Sequence, residues 1–500
     1  MTVAKEDNPV ELTSIRDNRT RDEEAEVEKQ PFLGSSGSST AIVASGGGGS
    51  HNTAPVRLTP GYEDTMPNSG DDFHMRSSLA NLSQPPNDRF NLVYLILVIH
   101  GVGTLMPWNM FITAKDYFVE YKLSEKYTGQ QSEYSANFLQ YIGFAAQVPN
   151  VFFNWFNIFI QIGGNLKTRI VWSIVIEVIL FIFTVVLAML DTSEYPGVFF
   201  WLTIASVVVI NMAGGIYQNS VYGIAAKLDY TGAVVLGSNI SGTFTSIINL
   251  ISLAIAPSER TAAIYYFITA LFVLLTCFDT YFALPLTKFY RYHEMMSARE
   301  QENKIQAGRR GISQRTPYFA ILKKCFPQCF NVFMVFFVTL AIFPAVYSDV
   351  KVVSDDFIIS NKYFVGVTCF LTFNLFAMLG NMVPSFFQWP GPRFLWIPVM
   401  LRVLFVPFFI LCNYQPKEIT RVFMPDFAFN DWTYWSGGVL LGLTSGYYSS
   451  LAMMYCPRTV ESEYAPIAGM FGAAFLITGI FAGINFSILI PMFVSKVAVG

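Results

Sequence analysis

Apolar residues recur along most of this chain in runs of about 20, the length that an α-helix needs to cross the hydrocarbon core of a membrane. Eleven such runs follow residue 90, separated by short segments that contain polar residues, glycine or proline. In lipid a helix satisfies its own backbone hydrogen bonds. The pattern therefore predicts an all-α integral membrane protein with eleven transmembrane helices. The predicted spans are 90–112, 135–161, 168–190, 197–222, 231–256, 262–286, 329–349, 361–383, 394–413, 433–455 and 464–494.

Two polar segments set the domain organisation. Residues 1–89 are acidic and rich in glycine and serine. Such a composition cannot bury enough apolar surface to fold, so this segment is predicted to be a disordered tail. Residues 287–328 form a long basic linker after the sixth span. The expected arrangement is six plus five: a six-helix bundle over 90–286, the linker, a five-helix bundle over 329–494 and a short terminus over 495–500.

The distribution of charge predicts the orientation. Lysine and arginine are in excess in the linker and recur at Lys167 and Arg393, whereas Asp191 and Glu194 lie in a loop on the other side. Positive residues are retained in cytosolic loops. The linker and the N-terminal tail are therefore expected in the cytosol, and the C-terminus on the extracellular side.

The end of the first span carries residues that a simple membrane anchor would not need. Gly101 and Gly103 allow a neighbouring helix to approach closely, and Pro107 predicts a bend or a helix end. Trp108 follows Leu105 by three residues and so shares its helical face. These features are typical of a helix that lines a substrate cavity. The alternative is a tryptophan of the interfacial aromatic belt.

Uncharged polar residues form stripes inside several spans. In the second span they recur every three or four residues, which places them on one helical face. Such groups are costly in lipid, so they are expected to face protein or water. Hydrogen bonding between helices explains the fifth-span stripe well, whereas a path for a neutral, hydrogen-bonding solute explains the second-span stripe better. The stripes are Gln140, Gly143, Gln147, Asn150 and Asn154 in the second span; Asn211 and Gln218 in the fourth; Ser238, Ser241, Gly242, Thr245, Asn249 and Ser252 in the fifth; Asn374 and Asn381 in the eighth; and Thr478 and Asn485 in the eleventh.

Composition narrows the class of function. The chain is 53% hydrophobic and 13% charged with a net charge of −3, which does not indicate nucleic-acid binding. Among its six cysteines, Cys325 and Cys329 are spaced like half of a zinc site, but no second half follows. No metal and no cofactor are predicted. The spans lack a metal-binding histidine pair, a nucleophile elbow and a phosphate-binding loop, which favours a transporter over an enzyme.

Four ionisable side chains lie inside the spans: His100, Glu177, Asp279 and Arg402. The first three are candidate proton or cation sites. For His100 we favour the alternative, a hydrogen bond to a neighbouring helix. For the two acids the alternative is a buried pairing with Arg402.

Several short motifs follow one another in one order along the chain. They are Gly101–Phe118, Tyr217–Gly223, Ala283–Tyr292, Phe343–Val346, Cys369–Phe376, Trp389–Gly391, and Arg402–Pro407 with Leu411–Asn413. In residues and order they resemble the equilibrative nucleoside transporter family, over nearly everything from 90 to 494. The resemblance implies a six-plus-five fold related to the major facilitator architecture. It also implies facilitated, sodium-independent transport of nucleosides, with nucleobases as an open second class. We expect a monomer in the plasma membrane, with an endosomal or lysosomal membrane as the alternative.

The resemblance also implies where the substrate binds. In the family a leucine and a tryptophan of the first span line the nucleoside site, and here they are Leu105 and Trp108. A fourth-span glutamine contacts the nucleobase, and here it is Gln218. A second-span position just before a proline also lines the pocket, and here Gln147 precedes Val148-Pro149.

The eighth span departs from the family pattern. Many members carry an aspartate and an arginine that hold the ribose hydroxyls, and this chain has Ala377 and Asn381 at those positions. Asn374 and Asn381 can still donate and accept hydrogen bonds, so both are predicted to bind substrate. The alternative function is a proton-coupled or organic-cation carrier of the same fold that uses Glu177 or Asp279.

Overall fold

The structure of the 500-residue chain is a computed structural model. It describes residues 86–115, 117–129, 134, 138–160, 165–255, 258–309, 316–354, 357–416 and 430–496. The predicted tail up to residue 85 lies outside them. Helices occupy the position of every predicted span: α1 Leu92–Thr113, α2 Phe138–Phe159, α3 Leu166–Met189, α4 Pro196–Lys227, α5 Thr231–Ile255, α6 Glu259–Ala283, α7 Tyr318–Ile342, α8 Asn361–Ser385, α9 Trp396–Leu411, α10 Asp431–Arg458 and α11 Ala465–Lys496.

The described residues include eight helices that are long and apolar enough to cross a membrane. Helix α9 is a shorter apolar helix, and α2 and α10 are not among the eight. The all-α membrane fold is thus confirmed, whereas the number of eleven crossings stays a prediction.

The linker contains a helix of its own, Lys288–Arg309, called the linker helix below. Helix α7 begins at Tyr318 rather than near residue 329. It includes Lys323 and Lys324, which the sequence pattern assigns to the linker. The five residues before this lysine pair, 318–322, are all apolar or aromatic, which lets the helix start earlier.

The helices pack as two sets that meet along a few pairs. Within the first six helices, α1 packs on α4, α5 and α6, α4 packs on α2 and α3, and α3 packs on α6. Within the last five, α7 packs on α10 and α11, and α8 packs on α10. The two halves join where α5 meets α8 and α10, and where α11 meets α2 and α4.

Loop contacts define two ends of the bundle. At the end that carries the linker helix, called the linker end, Lys167 pairs with Glu294 and Lys324 with Glu461. The hydrogen bond from Lys324 holds the pKa of the Glu461 carboxyl below its usual range. At the opposite end, Asp191 accepts a 2.7 Å hydrogen bond from the Tyr127 hydroxyl, which lowers its pKa to about 2.

Helices α1 and α5 touch backbone to backbone. A Cβ atom on Gly101 would lie 2.3 Å from the carbonyl oxygen of Val234, and one on Gly237 would lie 2.0 Å from the carbonyl oxygen of Val98. Neither position can accept a side chain unless the helices separate. The predicted close approach at Gly101 is confirmed, and α5 supplies the second glycine.

We expect Gly237→Ala to lower the stability of the folded transporter by about 1–3 kcal/mol, because the added methyl group overpacks a contact between two backbones. Thermal melting of the detergent-solubilised protein measures the effect. Gly143→Ala in α2 is the matched control, because a Cβ there meets no atom within 4 Å. Equal melting temperatures of the two variants would contradict the close contact.

Candidate functional site

The half-buried face of α1 holds Leu105 and Trp108. The helix does not end at Pro107 but continues to Thr113. Trp108 packs against an apolar cluster of the first six helices, and its indole N–H makes no hydrogen bond with any residue that the structure describes. A tryptophan of the interfacial belt would point into the headgroups. Packing against protein with a partly open face instead favours the cavity explanation.

The polar stripe of α2 divides into two parts. The Asn154 amide donates to Asn150, and Gly215 of α4 lies directly against this pair. This part of the stripe is bonded within α2 and packs against α4, which is the helix-packing alternative that the sequence pattern favours less. Gln147, which lies one turn before Asn150, is half-buried and has no hydrogen-bond partner among the described residues. The side chain of Gln140 lies outside the described residues. Gln147 is therefore the member of the stripe that is available to a solute.

Gln218 of α4 is the most unusual amide of the site. It is only 2% exposed, yet its side chain makes no hydrogen bond with any described residue. Both neighbours in the chain are anchored: the Tyr217 hydroxyl and His100 share a 2.7 Å hydrogen bond, and Asn219 donates to the carbonyl oxygen of Met470. Its amide atoms are not among the fully buried polar atoms that lack a partner in the described residues, so they reach an accessible space. A hydrogen-bonding solute or water could pair with the amide there.

The two asparagines of α8 are tied to α5. Asn374 donates to Ser246 at 3.1 Å, and Asn381 donates to the carbonyl oxygen of Val235 at 3.2 Å. The Asn381 side-chain oxygen remains unpaired and buried. The side chains of Asn374 and Asn381 therefore hold the two halves together.

A π-helical stretch, Val365–Leu371, directly precedes the turn that carries Asn374, and such stretches are frequent at functional sites.

The packing around Ala377 makes a charged residue unsuitable at this position. It is 1% exposed, and its carbonyl oxygen would lie 1.9 Å from a Cβ on Gly446 of α10. An aspartate at Ala377 would bury a carboxylate in an apolar cluster, which is costly without a partner. The departure from the family pattern thus coincides with tight packing of α8 on α10.

His100 is buried at the junction of α1, α4 and α6. Its Nδ1 atom shares the hydrogen bond with the Tyr217 hydroxyl, and its ring lies edge-on to Tyr281. Its Nε2 atom has no hydrogen-bond partner in the part of the chain that the structure describes. The expected bond to a neighbouring helix is therefore confirmed, and a proton role for His100 stays a prediction.

The two candidate acids are in different environments. Glu177 is 1% exposed, faces Gly214 of α4 and leaves one carboxylate oxygen unpaired. Asp279 is exposed on α6. Arg402 donates to the Val335 carbonyl oxygen and to two threonine hydroxyls, and has no carboxylate partner among the described residues. The alternative in which Glu177 or Asp279 pairs with Arg402 is therefore wrong, because helices α7 and α10 supply the partners of the guanidinium group.

The two halves are joined at the linker end. Arg458 of α10 donates to both carboxylate oxygens of Asp229, which lies between α4 and α5, at 3.0 and 2.9 Å. It also donates to Gln388 at 3.3 Å. Thr231 donates to the carbonyl oxygen of Met453 nearby. This end is closed by contacts between the halves.

A second connection at this end involves residues that the sequence pattern did not identify. Arg169 of α3 donates to Asn157 of α2 at 2.8 Å, and Asn157 donates to Asn219 of α4 at 2.9 Å. The bond from Asn219 to Met470 then reaches α11. Asn157 lies three residues beyond Asn154, so extending the α2 stripe by one step would have found it.

These features are those of a membrane carrier built from two helical halves. The halves meet through uncharged polar side chains of apolar helices, and contacts between them close one end. A solved structure of the proton:xylose symporter XylE, a major facilitator superfamily protein, is similar with a TM-score of 0.54. The match covers 81% of this chain and 90% of that chain at 12% identity. The fold is therefore similar to the major facilitator fold, as the family resemblance implied.

Sequence comparison gives the family. The sequence model of the nucleoside transporter family matches residues 204–492. Equilibrative nucleoside transporter 1 of Homo sapiens is 31% identical over 81% of this chain and 98% of its own length. Equilibrative nucleoside transporter 3 of Rattus norvegicus is 30% identical over 82% of this chain and 91% of its own length. The chain belongs to the equilibrative nucleoside transporter family, which is a family of transporters and not of enzymes.

Proposed function

We propose that this chain moves nucleosides across its membrane by facilitated, sodium-independent uniport. The observation that carries the proposal is Gln218: a side chain that is 2% exposed and has no hydrogen-bond partner among the described residues, in a chain of this family. An amide offers donors and an acceptor, so it can pair with the polar edge of a nucleobase without burying a charge. Nucleobases themselves are the second substrate class of the proposal.

The proposed site takes its contacts chiefly from the first six helices. Leu105 and Trp108 supply an apolar and aromatic surface, and Gln147 and Gln218 supply unpaired amides. Asn374 and Asn381 have a smaller share, because both already use their amide N–H groups in contacts with α5. Without a charged pair on α8, recognition should depend more on the base than on the ribose.

The contacts at the linker end suggest how the carrier works. We assign this end to the cytosol, because the basic linker lies there. The structure then corresponds to a state in which Asp229 and Arg458 close the cytosolic side. Rocking of the halves would break these contacts and open that side. The C-terminus is then extracellular, and the plasma membrane is the proposed location.

Uptake of radiolabelled uridine, adenosine and adenine in cells without endogenous transport tests the proposal. We expect saturable uptake that is unchanged when sodium is replaced, and unchanged between two pH values. Loss of uptake without sodium would contradict uniport. Strong dependence on pH would instead favour the proton-coupled alternative through Glu177, since Asp279 is exposed on α6.

We expect Asp229→Asn to open the linker end more often, because the variant loses an ion pair between the halves. Both side chains are partly exposed, so the shift should be only about 0.2–1 kcal/mol, or roughly 1.4- to 5-fold in the equilibrium. The readout is the rate at which a maleimide modifies a Ser450→Cys reporter. Ser450 is 1% exposed and faces Gly232 across the interface.

The charge-swapped double variant, Asp229→Arg with Arg458→Asp, is the control. It should return the reporter to slow modification, because the pair forms again with opposite polarity. Equal modification rates in the parent, the single variant and the double variant would show that the ion pair does not hold this end closed.

A further inference from the structure

Three cysteine thiols meet between α7 and α10. Cys325 and Cys329 lie one turn apart on α7, and Cys456 comes from α10. The Cys329 sulfur is 3.7 Å from that of Cys325 and 3.5 Å from that of Cys456, and all three sulfurs lie within 4.8 Å of one another. Each residue is fully buried. The sequence pattern shows only the first two, because the third lies more than a hundred residues away.

The surroundings of the thiols are apolar. Ile158, Ile321, Ala468, Met470 and Phe471 belong to the same buried cluster. The thiols make only weak hydrogen bonds, such as the 3.3 Å bond from Cys456 to the carbonyl oxygen of Ala468. Among the described residues, the group of possible ligands contains no histidine or carboxylate. A hard cation such as Mg²⁺ or Ca²⁺ requires oxygen ligands and does not fit.

The spacing fits a metal ion with three sulfur ligands. An ion bonded to three thiolates at about 2.3 Å, in one plane, holds the sulfurs about 4.0 Å apart. The separations of 3.7 and 3.5 Å that involve the Cys329 sulfur come close to this value, and the third is below 4.8 Å, so small side-chain movements would suffice. Zinc in structural sites takes four ligands, and this group offers three. Thiolates are soft ligands that bind copper(I) as well as zinc, and the lack of a fourth ligand in this group favours copper(I) over zinc.

We propose that Cys325, Cys329 and Cys456 form a binding site for one copper(I) ion. Binding releases the displaced thiol protons to solvent, copper remains in the +1 state, and no sulfur is oxidised. The ion would lie near the linker end, because Lys324, next to Cys325, and Arg458, two residues after Cys456, make ion pairs there. It would fasten α7 to α10 two residues before Arg458, the residue that closes the linker end. This site is separate from the proposed substrate site and does not depend on it.

The test uses the purified full-length protein in detergent, reduced and without oxygen. Copper(I) is offered in competition with the chelator bathocuproine disulfonate, and the retained copper is counted after desalting. We expect about one copper per chain, with only sulfur neighbours at about 2.3 Å in X-ray absorption. Cys329→Ser should weaken binding at least about tenfold, because its sulfur takes part in both short contacts.

Cys369→Ser is the matched control, because Cys369 is equally buried but lies in α8, outside the cluster. It should retain copper like the parent. If Cys329→Ser folds poorly, two further variants and one further measurement keep the test decisive. Cys325→Ala and Cys456→Ala should also lose copper, and the melting temperature of the parent should rise when copper(I) is added. Equal copper in the parent and all cluster variants would overturn the proposal. Zinc that is retained as tightly as copper(I) would also overturn it. A mass of the intact protein two units below that expected would overturn it as well, because it indicates a disulfide between two of the cysteines.

Discussion

We expect Trp108→Ala to lower the apparent affinity for nucleosides by roughly 5- to 150-fold, because stacking of a base on an aromatic side chain contributes about 1–3 kcal/mol. The half-buried indole on α1 has the only aromatic surface among the predicted substrate-binding residues. Uptake kinetics of adenosine and uridine at matched surface expression measure the loss. Trp108→Phe should recover most of the affinity, since it keeps an aromatic face.

Trp172→Ala is the matched control for this prediction. Trp172 lies on α3 and is 62% exposed, so its removal should leave uptake unchanged. If Trp108→Ala transports like the parent, the indole is only a packing group against the apolar cluster of the first six helices, and α1 does not contact the substrate through it.

We expect Gln218→Leu to impair nucleosides and nucleobases alike. The variant leaves the polar edge of the base unpaired at a cost of about 1–3 kcal/mol, which corresponds to roughly 5- to 150-fold in affinity. Because α8 carries Ala377 and Asn381 in place of a charged pair, free ribose should compete poorly. The measurement is uptake of adenosine and adenine, with ribose as competitor.

Asn211→Leu serves as the control on the same helix. Asn211 is also buried, but its amide donates to the Val207 carbonyl oxygen of its own helix, so its loss should not change substrate affinity. A Gln218→Leu variant with normal uptake of both substrates would make Gln218 a packing amide. Loss of adenosine uptake alone would place ribose, not the base, at this residue.

The sequence predicted those features that depend on local pattern. Apolar runs identified the helices, and Gly101 correctly indicated close helix packing. The pattern could not tell which polar residues of a stripe meet another helix and which remain unpaired. Asn154 and Gln147 lie seven residues apart on the same face of α2, yet one is bonded within the protein and the other is not.

Contacts between distant parts of the chain were beyond the sequence. The sequence left open a pairing of Arg402 with an acid, but α7 and α10 place hydroxyls and carbonyl oxygens around it instead. The bond from Arg458 to Asp229 and the meeting of Cys456 with Cys329 join residues 229 and 127 positions apart. A single sequence contains no local signal for such pairs, because each depends on how two helices are oriented.

The contact between the α1 and α5 backbones restricts how the carrier can move. Each residue turns a helix by about 100°, so rotating α5 by one position would put Leu236 or Ser238 against the carbonyl oxygen of Val98, where even a Cβ on Gly237 has no room. Neither helix can therefore turn about its axis while this contact is kept. Helix α5 also meets α8 of the other half, where Asn374 donates to Ser246. The paired α1 and α5 thus reach the boundary across which the two halves would move.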